Sequence, residues 1–199
     1  MKSPLRAERG RIILALLILT VMAPSAGAQE LFVHGGVIRN SQVQETEGQW
    51  SVMYRQGYGA HAAFSISYLN EAHRANNHRD NLSLQVWGRT ALGDGPLSVA
   101  LGIGPSVFFD TRLNPGTTTY RNVHGVGFLS SATATWHGMT PWLLQGRIDY
   151  LTNRDTYDTL SATVGIGYLL ESPSSGPQNR PGGQERAFNN ELTLYLGPA

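Results

Sequence analysis

Cysteine is absent from this chain of 199 residues. Its absence excludes a disulfide framework, a thiolate zinc site and a cysteine nucleophile. It agrees with export but constrains function no further. A surplus of charge is missing as well: 15 Lys and Arg stand against 14 Asp and Glu. Lys2, Arg6, Arg9, Arg11 and Glu8 all precede residue 12, which leaves the rest of the chain at a net −2. That is no footprint for nucleic-acid binding. Nor does any apolar run beyond residue 28 approach the roughly 18 residues of a membrane-spanning helix. A membrane protein built from this sequence must therefore be a barrel or lie at the surface.

The first 28 residues read as a processing signal. A basic start is followed by Ile12 to Met22 (IILALLILTVM), too short to span as a helix, and then by Ala26-Gly27-Ala28, small residues suited to a signal peptidase. The mature chain is expected to begin near Gln29.

What is abundant is alternation. From Leu97 to Asp110, Leu97, Val99, Leu101, Ile103, Val107 and Phe109 fall on one side. Ser98, Ala100, Gly102, Gly104, Ser106 and Asp110 fall on the other. Period two means extended strand, because successive side chains point to opposite faces. Seven further stretches read as strands: Leu31–Arg39, Gln49–Arg55, Ala60–Leu69, Leu82–Arg89, Val126–Trp136, Trp142–Leu151 and Leu160–Leu170. The first is apolar on both faces, so its phase stays open.

Most of these runs are near the 9–11 or so residues that a tilted strand needs to cross a bilayer. Short Gly/Pro-rich connections (Gln56–Gly59, Ala91–Pro96, His137–Pro141) alternate with longer ones (Asn40–Gly48, Asn70–Asn81, Thr111–Gly125, Thr152–Thr159). Short periplasmic turns and long extracellular loops are the outer-membrane pattern. Trp50, Tyr54, Tyr68, Phe109, Trp136, Trp142, Tyr150 and Tyr168 lie near strand ends on the apolar face, where a headgroup girdle needs amphipathic rings. The opposite faces carry Ser, Thr, Gly, Gln, Arg and Asp, a poor core for a soluble barrel. The expected fold is all-β: an antiparallel transmembrane barrel of about eight strands, closed as an up-and-down meander.

With its signal, eight amphipathic strands and aromatic belts, the chain over residues 30–171 resembles the small outer-membrane barrels of the OmpA, OmpX and opacity-protein type. The stretch Gly165-Ile-Gly-Tyr168-Leu-Leu170 is similar to the terminal assembly signal of such barrels, although here 29 residues follow it. The resemblance implies an outer-membrane location in a Gram-negative bacterium. It also implies a monomer that meets the barrel-assembly machinery, outer-membrane lipid and lipopolysaccharide. No cofactor and no nucleic acid is expected.

Residues 172–188 (within them SPSSGPQNRPGG) have linker composition, and 189–199 contain a strand-like NELTLYLG. This tail echoes the first strand at three of seven positions, ELFVHGG against ELTLYLG. A degenerate repeat, an extra strand and coincidence remain open.

Four sets of residues could carry chemistry. Arg55, Arg89, Asp110, Arg147 and Asp149 share the inward phase and are expected to pair as a lumen plug, since an eight-stranded barrel is largely filled by side chains. In the stretch Asn70–Asn81, read as a loop, Glu71, His73, His78 and Asp80 are candidate ligands for a divalent ion. Arg74 and Arg79 there could meet lipopolysaccharide phosphates. Acyl-ester chemistry would need a hydroxyl, a base and an acid, for which Ser67, His73 and Glu71 are the candidates. The leading expectation is a non-enzymatic barrel whose loops serve surface interaction or envelope integrity. A lipid A acyl-modifying enzyme, and a pore or export component for a glycan or small solute, are the alternatives.

Overall fold

A computed structural model describes residues 28–41, 46–58, 60–74, 77–114, 116–153 and 157–170, without the side chains of 72–74 and 77. The expected signal segment up to residue 27, the linker and the strand-like tail lie outside the described residues. Eight strands follow in chain order: β1 (Gln29–Asn40), β2 (Thr46–Tyr58), β3 (Ala62–Arg74), β4 (Asn77–Ala91), β5 (Leu97–Leu113), β6 (Tyr120–Met139), β7 (Trp142–Asn153) and β8 (Thr159–Leu169). Each pairs antiparallel with its sequence neighbours, and β1 pairs with β8, so the sheet closes. Closure leaves no edge strand to satisfy.

Alternation decides which side chains enter the lumen. In β8, Thr159, Ser161, Thr163, Gly165, Gly167 and Leu169 are buried, while Leu160, Ala162, Val164, Ile166 and Tyr168 face out. The outer surface between the strand ends is Leu, Ile and Val; Leu101 and Val164 are each 70% exposed. Rings border that band at both ends. Trp50 packs on Tyr68 at 5.4 Å between centroids near one end, and Trp142 on Tyr168 at 5.2 Å near the other. The open phase of the first strand now has a physical reason. The lumen accepts Phe32 and Ile38 among Glu30, His34 and Asn40, while Leu31, Val33 and Val37 face outward.

Bulky lumen residues sit over glycines on the next strand. Trp87 lies against Gly102, where an added Cβ would come within 2.5 Å of the indole. His34 and Phe32 of β1 lie in the same way over Gly165 and Gly167 of β8. Large-over-small matching lets side chains fill so narrow a tube.

Two of the expected long connections, Asn70–Asn81 and Thr111–Gly125, prove to be largely strand. β3 and β4 run on in register through Glu71↔Arg79, with one irregularity, to Arg74↔Asn77. Asn70–Asn81 is therefore a hairpin end rather than a loop. β5 and β6 likewise stay paired up to Leu113↔Tyr120. Above the apolar band both faces of a strand meet polar surroundings, so alternation fades while the backbone ladder continues.

Candidate functional site

Among the described residues the polar lumen holds the densest set of ionisable groups, and it is organised in three levels. Nearest the short turns, Arg55 of β2 donates from Nε and Nη2 to Glu30 Oε2 of β1, each at 2.6 Å. Arg89 of β4 approaches Glu30 Oε1 at 3.7 Å. The Arg55 guanidinium also lies 5.1 Å from the Phe32 ring and 5.8 Å from Trp87. Delocalised and weakly hydrated, guanidinium suits such stacking.

Across the middle lies Arg147 of β7. Its Nε donates to both oxygens of Asp149, at 2.7 and 2.8 Å. Its Nη2 donates to Gln85 Oε1 at 3.3 Å and Ser131 Oγ at 3.4 Å, and Nη1 meets Met53 Sδ at 3.0 Å. Ser131 also donates to Asp149. Beside them, Gln145 Nε2 donates to Thr135 Oγ1 at 2.7 Å, which turns Gln145 Oε1 toward His34 Nε2 at 3.0 Å. That geometry assigns the imidazole proton to Nε2 and leaves Nδ1 to accept from Ser51 Oγ at 3.3 Å.

At the end of the longer hairpins, Arg79 of β4 donates from Nε to Glu71 Oε2 of β3 at 2.6 Å, with a second bond from Nη2. Its guanidinium lies 4.3 Å from the Tyr157 ring, which folds in over the mouth. Arg112 donates from Nε to Asp110 Oδ2 at 2.7 Å.

The structure thus places Arg55, Arg89, Asp110, Arg147 and Asp149 in the lumen, at three different heights. Within this set Arg147 pairs with Asp149, while Arg55 and Arg89 meet Glu30 and Asp110 meets Arg112. Glu30 was hidden by the unphased first strand, and Arg112 by the reading of its segment as a loop.

Among the described side chains the other candidate sets do not assemble. Arg79, expected on a surface loop, is inside the barrel, 1% exposed and paired with Glu71. Strand continuity turned it inward. Glu71 faces the lumen, whereas His78 and Asp80 lie on the outer face. There Asp80 accepts from Tyr68 Oη at 2.6 Å and Asn70 Nδ2 at 2.8 Å, with His78 Nε2 at 2.9 Å. The sheet itself separates the proposed metal ligands, and among the described residues no group of three metal-ligating side chains forms. Ser67 is buried in the lumen on the same strand as Glu71, about 13 Å away at 3.3 Å per residue. The side chains of His73 and Arg74 lie outside the described residues.

No protein-family model matches the sequence, and no curated protein is significantly similar to it. Solved structures are similar in fold. The N-terminal β-barrel domain of Pseudomonas aeruginosa OprF aligns at TM-score 0.56 and 12% identity, over 71% of this chain and 98% of that one. The chain has the fold of the small outer-membrane barrels. Neisserial surface protein A aligns at TM-score 0.53 and 11% identity, over 72% of this chain and 99% of that one. Ail, the attachment invasion locus protein of Yersinia pestis, aligns at 0.52 and 9%, over 71% and 95%. The shared element is the closed eight-stranded meander; at these identities the likeness covers the fold and not the lumen chemistry.

Proposed function

We propose that this chain is a small, non-enzymatic outer-membrane barrel with a plugged lumen. It is exported behind a cleaved N-terminal signal and inserted as a monomer by the barrel-assembly machinery. Its longer hairpins face the medium and serve surface interaction or envelope integrity, and its outer face meets membrane lipid and lipopolysaccharide.

The observation that carries the reading is the inversion of polarity. Leu, Ile and Val cover the outside while Arg, Asp, Glu, Gln and Ser fill the inside. Water could not tolerate that outer band on a monomer, whereas hydrocarbon requires it. The rings at both ends of the band fit the two headgroup regions.

Fractionation with gel mobility tests this. The protein should be found in the outer membrane and run faster unboiled than boiled. Recovery as a soluble periplasmic protein would overturn the reading.

A further inference from the structure

The hairpin of β5 and β6 rises beyond the rest of the mouth, and its tip is organised. Asn114 Nδ2 donates to Thr119 Oγ1 at 3.0 Å, and Thr117 Oγ1 to Asn114 O at 3.2 Å. On its inward-phase face Arg112 stands directly opposite Arg121 in the ladder. Like charges facing each other across antiparallel strands repel.

The carboxylates around them are already engaged. Glu71 holds Arg79, and Asp110 holds Arg112. Asp158 accepts from Tyr150 Oη and from the Asn153 amide. Asp80 is on the outer face with Tyr68, Asn70 and His78. Arg121 is exposed, and among the described residues no carboxylate pairs with it. Along the inward-phase face of this hairpin Arg112 and Arg121 therefore stand against Asp110 alone, which leaves one guanidinium in surplus. The Arg112 head is 35% exposed and lies 5.7 Å from the Tyr157 ring.

We infer that Arg112 and Arg121 form an anion site for a soluble molecule bearing sulfate or phosphate groups. An oxyanion seated between two planar guanidiniums accepts from both and removes their repulsion. Arg112 spends Nε and Nη2 on Asp110 and keeps donors for it.

Phase and height favour a soluble anion over a lipid headgroup. Both arginines share the inward phase of the ladder with Asp110, while the side toward lipid carries Phe109, Thr111 and Tyr120. Arg112 is three residues past Phe109, so it rises about 10 Å beyond the girdle along the strand. The inference rests on reading this end as the exposed one.

The test is titration of the folded full-length chain in detergent micelles with sucrose octasulfate, with sucrose as the uncharged control. Binding of the sulfated sugar alone is expected, weakening with salt. Arg121→Ala should weaken it about tenfold, as for loss of one charge-assisted contact, and Arg121→Glu should abolish it. Arg39→Ala, which removes the same charge from an outward-facing position, should leave it unchanged. Equal weakening by Arg121→Ala and Arg39→Ala, or no binding by the native chain, would overturn the site. Loss of binding in nanodiscs that contain lipopolysaccharide would show a lipid phosphate in the site and overturn the soluble ligand. Heat-modifiable mobility is followed in every sample, so a failed barrel is told apart from a folded barrel that does not bind.

Discussion

Arg147 shows what a buried charge demands of its neighbours. Five groups from four strands meet its guanidinium: Asp149, Gln85, Ser131, the Met53 sulfur and, 5.7 Å away, the Trp87 ring. Replacing either ionic partner strands the other in the lumen. We predict that Arg147→Ala and Asp149→Ala each destabilise the folded barrel by about 3–5 kcal/mol, read from the urea midpoint of the heat-modifiable band. The double variant should lose less than the sum of the two, because neither charge is then left alone. A fully additive result would contradict the pairing. The Trp87–Gly102 contact makes a second prediction. Gly102→Val places methyl groups where the indole lies, and overpacking of this kind costs about 1–3 kcal/mol. Val99→Ala, at a half-buried outward position on the same strand, should cost less.

Strands explain which parts of this architecture were legible beforehand. Where the two faces meet different media, as in β8, alternation reveals the element and its phase, and the inward positions of Arg55, Arg89, Arg147 and Asp149 follow. Two situations hide the pattern. In β1 the lumen takes apolar Phe32 and Ile38 beside Glu30, so neither phase stands out and the sequence does not reveal the partner of Arg55. At the tops of β3 to β6 both faces are polar, so paired strand reads as loop; that pattern puts Arg79 at the surface and gives Arg112 no phase. Trp87, Gln85 and Ser131, by contrast, owe their meeting to register and closure, which no single segment contains. The outward face allows a prediction at this scale. Leu101→Arg, at the middle of the apolar band, should destabilise the barrel in a bilayer by about 2–4 kcal/mol, measured by reversible folding into vesicles. Thr111→Arg, near the rim, should be close to neutral.

At the scale of the whole molecule, the filled interior sets the expected electrical behaviour. The Glu30, Arg147 and Arg79 clusters follow one another along the axis, and Tyr157 lies over the last. Planar-bilayer recordings of the native chain should show negligible steady conductance. Replacing Arg147, Asp149 and Trp87 together by Ala removes the side chains that fill the middle level and should produce small, resolvable steps if the variant retains its heat-modifiable fold. A large steady conductance from the native chain would mean that the lumen is not packed as described.

The rings of Phe32 and His34 over Gly167 and Gly165 have a consequence beyond their own contact. They lie on β1 and β8, the two strands whose meeting turns a sheet into a cylinder. A slip of two residues along that seam would leave one ring facing a glycine and drive the other into Thr163 or Leu169. Because stagger and diameter are linked in any closed sheet, the same slip would alter the girth of the cylinder. Two missing side chains on the last strand thus act as a gauge for the whole circumference.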